Sequence, residues 1–139
     1  MKLATLVFFF LFTQAFAATC EDLEYIYESE ETTVKPFRVA DTHGKFSALE
    51  QQMIKVAVES DGYYRDLSIK EALEIFADKN QWHDVGYNSG SIFYSRYKGA
   101  VLAKVVYYPG DNEYGAIFQV RSGSFKKLAE VHDGDLGCL

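Results

Sequence analysis

The chain has 139 residues and a formal net charge of −6 at pH 7. A chain this acidic repels nucleic acid backbones and anionic lipid headgroups, so neither is an expected partner. Its length suits one domain with its own core. The sequence contains no phosphate-loop, dinucleotide-binding or Gly-x-Ser-x-Gly nucleophile pattern, and no cofactor is expected.

The first 17 residues have the pattern of a secretory signal peptide. Lys2 precedes an apolar run over residues 3–12, and Ala15-Phe16-Ala17 has the small-x-small form of a cleavage site. The run is shorter than the roughly 20 residues that span a bilayer. We therefore predict cleavage after Ala17 and release into the periplasm or the medium, without stable membrane insertion. Residues 18–139 are expected to form a single secreted domain.

The two cysteines, Cys20 and Cys138, lie near opposite ends of the mature chain. Export places them in an oxidising compartment, where an even cysteine count predicts a disulfide. Acylation of Cys20 is the alternative, but Thr19 is larger than the residue expected before an acylated cysteine, and Cys138 would stay unpaired. The sequence therefore predicts a structural Cys20–Cys138 disulfide that brings the ends of the domain together.

Helix signals dominate the first half of the mature chain. Leu23, Ile26 and Tyr27 keep a helical spacing within an acidic segment, which allows a short N-terminal helix. Residues 47–50 and 68–71 each have the Ser-x-x-Glu form of a capping box, and an apolar stripe follows each box. The sequence thus predicts two helices, or three with the N-terminal one.

Beyond Trp82 the apolar period changes to that of strands. Strands are predicted over Ser91–Tyr97, Val101–Tyr108, Tyr114–Arg121 and Ser124–His132. Short connections favour an antiparallel meander. The predicted fold class is α+β: two helices, with a third as an option, followed by a four-stranded antiparallel meander, with the helices packed on one sheet face.

This element order is similar to that of small secreted inhibitor folds, such as cystatin-like domains and the repeat of β-lactamase-inhibitory proteins. No signature residues of either are present, so the similarity concerns the fold alone. Both helix stripes need the apolar sheet face, which predicts one shared core. Its expected members are Leu49, Met53, Val56, Leu73, Phe76, Val105, Phe118 and Val120.

The histidines do not form a metal-binding pattern. No two of His43, His83 and His132 have the spacing of a helical metal pair. His132 lies beside Asp133 and Asp135, which suits weak cation binding, but the segment is better interpreted as a polar turn. No metal site is predicted.

Tyrosine is the compositional feature that bears on function, because the chain has ten and tyrosine is frequent at recognition surfaces as well as in strands. Tyr107 and Tyr108 are adjacent in one strand, so at least one should face away from the helices. The predicted contact surface is the outer sheet face or its hairpin tips. Its candidate residues are Tyr94, Tyr97, Tyr107 and Tyr108, with one of the adjacent pair on the outer face near Tyr94 or Tyr97. In the alternative, the N-terminal segment 21–39 folds over that side and buries it.

These features favour an exported, non-enzymatic binding domain whose partner is another protein, with inhibition of that protein as one form. The alternative is a small exported hydrolase with carboxylate or histidine acid–base chemistry, because carboxylates distant in sequence can meet in a fold. An exposed aromatic sheet face would favour binding. A deep pocket with converging histidine and carboxylate groups would favour the enzyme.

Overall fold

The computed structural model describes residues 18–28, 38–40, 46–78, 90–109 and 112–139. The predicted signal peptide, residues 1–17, lies outside the described residues, as do His43 and His83. The elements in chain order are α1 (Cys20–Glu28), β1 (Arg38–Ala40), α2 (Ala48–Glu59), α3 (Ile69–Phe76), β2 (Ser91–Tyr97), β3 (Ala100–Tyr107), β4 (Tyr114–Arg121), β5 (Ser124–His132) and β6 (Asp135–Cys138).

Six strands form one antiparallel sheet in which each strand pairs with its neighbours in the chain, in the order β1 to β6. The predicted α+β class and meander are confirmed. β2, β4 and β5 have the predicted bounds, and β3 begins and ends one residue earlier than expected. The two additional strands lie at the sheet edges and span three and four residues, which is too short for an alternating pattern to reveal them.

Two of the hairpins turn through residue pairs that both have positive φ. Lys98 and Gly99 have φ values of 49° and 81°, and Asp133 and Gly134 have values of 52° and 80°. This combination defines a type I′ turn, whose twist matches that of the strands it joins. The second of these turns fixes Asp133 at one end of the sheet.

Both predicted capping boxes are formed. Ser47 Oγ accepts from the Glu50 N–H at 3.2 Å, and Glu50 Oε1 accepts from the Ser47 N–H at 2.9 Å. Ser68 and Glu71 repeat this exchange at the start of α3. These bonds satisfy amide groups that a helix start leaves without intrahelical partners. They explain why α2 and α3 begin where the sequence predicts.

The sheet face that packs against α2 and α3, here called the inner face, carries the larger core. Four of the predicted core residues, Met53, Phe76, Val105 and Phe118, are buried in it together. Three others, Val56, Leu73 and Val120, are partly buried and pack against it. α3 reaches this core partly by packing against α2.

The buried side of α2 differs from the predicted stripe. Leu49 is only half-buried and lies outside the main cluster, whereas Ile54 and Val58 are fully buried. Met53, Ile54, Ala57 and Val58 lie on one side of the helix, and their burial accounts for this orientation. Glu50 lies on the same side, is 3% exposed, and its Oε2 accepts a hydrogen bond from Tyr94 at 2.7 Å.

α1 packs on part of the opposite side of the sheet, here called the outer face. Leu23 of α1 is buried against Ile117 and Ala129. The two helices α2 and α3 thus share one face, while the third helix occupies the other. Of the segment 21–39, residues 21–28 pack on the outer face in α1, and residues 29–37 lie outside the described residues.

Candidate functional site

The four predicted binding tyrosines do not form one surface. Tyr94 and Tyr107 lie on the inner face, where both are buried beneath α2. Tyr94 donates its hydroxyl hydrogen bond to Glu50, and Tyr107 donates to the carboxylate of Asp61 and to the Val58 carbonyl oxygen. Both side chains therefore serve the packing of α2 on the sheet.

Tyr97 and Tyr108 lie on the outer face but at opposite ends of the sheet. Tyr97 donates to Asp22 Oδ1 in α1 at 2.9 Å. Tyr108 is 6% exposed and donates to Glu113 Oε2 at 2.5 Å, while Tyr27 of α1 donates to the other oxygen of Glu113 at 2.6 Å. These bonds hold α1 and the β3–β4 turn against the sheet.

The expectation that Tyr107 or Tyr108 would be exposed is wrong. Strand alternation places the two side chains on opposite faces of the sheet, as predicted, but both side chains are buried. The expected proximity of the outer-face tyrosine, Tyr108, to Tyr94 or Tyr97 is also wrong, because Tyr94 lies on the inner face and Tyr97 pairs with Ala100 at the other end of β3. The tyrosine surface predicted from the sequence is thus part of the protein's own packing.

The predicted disulfide site is formed. Cys20 and Cys138 are bonded, with their Cα atoms 5.7 Å apart. The bond joins the first turn of α1 to the edge strand β6, beside the outer-face cluster. The disulfide therefore links α1 covalently to the sheet and holds it in place.

A cleft lies at the end of the sheet where α2 ends and the β3–β4 and β5–β6 turns come together. Its volume is about 420 Å³, which falls in the range of roughly 300–1,000 Å³ of small-ligand sites. The cleft is lined by Asp61, Tyr63, Tyr64, Pro109, Asn112, Tyr114 and Asp133. Three segments far apart in the sequence therefore build one site.

Asp61 is fixed in the cleft wall by the turn that follows α2. Its Oδ1 accepts from the backbone N–H groups of Tyr63 and Tyr64 at 2.7 and 3.3 Å. Its Oδ2 accepts from the hydroxyl of Tyr107. A side-chain oxygen that accepts from amides two and three residues ahead stabilises a tight turn. The carboxylate thus orients the two neighbouring tyrosines.

Asp133 is fixed on the opposite side by the type I′ turn. Its Oδ1 accepts from the hydroxyl of Tyr114 at 2.5 Å and from Asn112 Nδ2 at 3.4 Å. The next residue, Gly134, donates its N–H to the Glu113 carbonyl oxygen at 2.9 Å. Two adjacent turns are therefore tied together, which holds the Asp133 carboxylate at the cleft.

Tyr63 is the most exposed large side chain at this site. It is 83% exposed, and its ring lies edge-on to that of Tyr64 with centroids 5.0 Å apart. Tyr64 is half-buried and packs against the inner core. The cleft wall therefore carries an exposed aromatic ring whose edge contacts a partly buried one.

The phenol groups of Tyr64, Tyr107 and Tyr114 stay protonated at neutral pH. Burial, together with the hydrogen bond to Asp61, raises the pKa of Tyr107 far above its usual value. The hydrogen bond to Asp133, together with burial, raises the pKa of Tyr114. Burial raises the pKa of Tyr64, and the nearby Tyr63 and Asp61 add to the effect. These phenols therefore act as hydrogen-bond donors rather than as bases.

A row of charged side chains runs along β5 beside the cleft. Lys127 Nζ lies 2.5 Å from Glu130 Oε1, and His132 Nε2 lies 2.9 Å from Glu130 Oε2. Burial raises the pKa of Glu130, but hydrogen bonds from Lys127 and His132 outweigh it and the pKa is lowered. A β-bulge at Leu128 lets Lys127 and Glu130 share the inner face. The ring of His132 packs edge-on to Tyr114 but does not line the cleft.

A second cleft, of about 430 Å³, lies toward the opposite end of β4 and β5. Its charged lining residues are Arg121 and Lys126. The charges of the two clefts are therefore opposite in sign, with acidic groups at one end of the sheet and basic groups at the other.

The structure also bears on metals and membranes. Within the described ranges, no group of three or more histidine, cysteine, aspartate or glutamate side chains is arranged to hold a metal ion. Asp133, which the sequence grouped with His132 and Asp135, bonds instead to Tyr114. Of the helices that the structure describes, none has the length and apolarity needed to cross a membrane.

The cleft was not found from the sequence, although signals for it exist. Asp133-Gly134 is a strong type I′ turn signal, and Tyr63-Tyr64 directly follows a helix end. These signals locate the turns in the sequence, but they do not show that the turns come together in the fold. No family model matches this chain, and neither a curated protein nor a solved structure shows significant similarity to it.

Proposed function

We propose that this chain is an exported, non-enzymatic binding domain for another protein, and that the cleft beside Tyr63 is its contact site. Export is supported by the signal-peptide pattern and by the disulfide, which is typical of oxidising compartments. Helices pack on both sheet faces, so the proposed contact lies at the end of the sheet and not on its outer face.

The observation that carries this proposal is the exposed ring of Tyr63 on the cleft wall. Exposed aromatic side chains with fixed neighbours are frequent anchors of protein–protein contacts, because they bury much area at a small entropic cost. The turn fixed by Asp61 orients the Tyr63 backbone before a partner arrives. Binding therefore requires little ordering of this segment.

The test uses the folded, disulfide-bonded protein as bait in the medium or envelope fraction of its own source. Wild-type protein should retain a partner, and Tyr63→Ser should lose at least about tenfold in affinity, as expected for an aromatic anchor. Tyr25→Ser is the matched control, because Tyr25 is 43% exposed and does not line the cleft. Equal retention by the wild type and Tyr63→Ser would contradict the proposal.

The hydrolase remains a second candidate because Glu130 holds His132 in a fixed orientation, as a base is held in acid–base catalysis. One variant distinguishes the two candidate functions. His132→Gln should leave partner retention unchanged if the protein is a binding domain. If retention depends on His132 and not on Tyr63, the hydrolase is the better account.

A further inference from the structure

The cleft beside Tyr63 combines negative charge with aromatic surface. Asp61 and Asp133 line it, and among the residues that the structure describes no lysine or arginine does so. Within the described part of the chain, the nearby basic groups Lys127 and His132 pair with Glu130, and neither aspartate forms an ion pair. The two carboxylates therefore present charge that no basic group of the described residues neutralises.

The hydrogen bonds of Asp133 leave room for a ligand. Both bonds that it accepts go to Oδ1, from Tyr114 and from Asn112. A carboxylate has roughly four acceptor positions on its two oxygens. Oδ2 accepts no hydrogen bond from a described residue, so it can accept from a donor that enters the cleft.

The aromatic wall supplies a second attraction for a cation. A guanidinium or ammonium group within about 6 Å of an aromatic centroid is attracted by the ring face. The protein already contains such contacts on its outer face, where Lys104 Nζ lies 4.8 Å from the ring centroid of Phe93 and 5.3 Å from that of Tyr27. Tyr63, at 83% exposure, has ring surface available for the same contact.

We propose that the cleft receives an arginine side chain of the partner protein, with the guanidinium over the Tyr63 ring and donating to Asp133 Oδ2. Arginine is chosen over lysine because its planar group can stack on a ring while donating in its own plane. This inference rests on the proposed function and names the group that the partner contributes. It also gives the acidic character of the cleft a role in selecting that partner.

The test is a titration of the folded protein with two short peptides that differ only in charge, acetyl-Gly-Arg-Gly-amide and the same peptide with citrulline. NMR signals of the Tyr63, Tyr64 and Tyr114 rings report on the cleft. The arginine peptide should shift these signals saturably, and the citrulline peptide should bind roughly tenfold more weakly. A lysine peptide should bind less tightly than the arginine peptide.

Two variants test whether the Asp133 carboxylate is the group that binds the guanidinium. Asp133→Asn keeps a residue type that tolerates the positive φ of this turn but removes the charge, and it should weaken arginine binding about tenfold. Asp135→Asn is the control, because Asp135 is two residues away, exposed and outside the cleft lining. Equal affinity for arginine and citrulline, no effect of Asp133→Asn, or no saturable shift would each overturn the inference.

These outcomes separate the inference from the proposal beneath it. If Tyr63→Ser abolishes retention of the partner while Asp133→Asn does not, the cleft is a contact site but arginine is not its ligand. If the arginine peptide binds at Tyr63 but Tyr63→Ser retains the partner, the proposed contact site is wrong and the ligand chemistry stands.

Discussion

The two faces of the sheet are held by different kinds of interaction. On the inner face, two capped helices pack a continuous apolar core that includes Phe76 and Phe118. On the outer face, one short helix buries a small cluster around Leu23 and is otherwise held by hydrogen bonds to carboxylates and by the disulfide. Apolar burial dominates the attachment of α2 and α3, whereas specific links between distant residues dominate the attachment of α1.

This difference decides what each face can tolerate. A core loses stability in proportion to the volume removed and the cavity left behind. An element held by a few links, as α1 is, detaches when one link is cut, because the apolar cluster that it contributes is small. The predictions below test this contrast from the largest expected effect to the smallest.

Removal of the disulfide should have the largest effect. The bond closes a loop with a sequence separation of 118, and the chain-entropy model gives about 5 kcal/mol for a loop of this size. Cys20→Ala/Cys138→Ala should therefore lower the free energy of unfolding by up to about 5 kcal/mol in urea titrations. Amide exchange should rise first in α1. A loss below about 1 kcal/mol would show that α1 does not depend on this bond.

Truncation of Phe76 should cost about 3–5 kcal/mol. Its side chain is fully buried, and its ring lies edge-on to Phe46 with centroids 5.7 Å apart. Leu23→Ala on the outer face should cost about 2 kcal/mol, because fewer neighbours surround it. Urea unfolding of both variants checks the ranking, and an equal or larger loss for Leu23→Ala would contradict the contrast between the faces.

The smallest expected effect is a pH dependence of the free energy of unfolding, which arises from Asp22 at the start of α1. The Thr19 backbone N–H, at 3.0 Å, and the Tyr97 hydroxyl hydrogen-bond to Asp22 and lower its pKa from 3.8 to about 2. Because the folded-state pKa is depressed, the stability contributed by Asp22 is complete above the unfolded value of 3.8 and is lost as pH falls toward 2. Between pH 3.8 and about 2, the unfolded chain binds more protons than the folded protein.

Thermal unfolding of Asp22→Asn at several pH values checks this effect. The variant should differ most from the wild type above pH 4 and converge with it as the wild-type carboxyl becomes protonated. Glu24→Gln is the control, because Glu24 is exposed one residue beyond Leu23 on the same helix. A constant difference between Asp22→Asn and the wild type down to pH 2 would contradict the assignment of this pH dependence to Asp22.

Local patterns in the sequence were sufficient to predict the inner face. The capping boxes at Ser47 and Ser68 set the helix starts, and strand alternation placed Val105 and Phe118 on the same face. The buried face of α2 has a helical apolar spacing at Met53, Ile54, Ala57 and Val58, but the burial of Glu50 depends on Tyr94, 44 positions away. A hydrogen bond between distant residues leaves no periodic signal.

The outer face and the cleft show the same limit. Leu23 was placed on a helix, but nothing in its neighbourhood shows that Ile117 and Ala129 are its partners. The binding role given to Tyr94, Tyr97, Tyr107 and Tyr108 rested on composition, which does not distinguish a tyrosine that donates to an internal carboxylate from one that meets a partner. The cleft needed the register of β3 to β6 to bring Asp133 beside Tyr114.

The lengths of the edge strands bear on self-association. β1 and β6, with three and four residues, border longer inner strands. A short edge offers few unpaired backbone groups, which limits templating of a strand from another copy and the growth of intermolecular sheets. The disulfide also holds the Cys138 end of β6, and this opposes the separation of β6 from β5 that would expose the edge of β5. Short, anchored edges therefore favour a sheet that stays within one molecule.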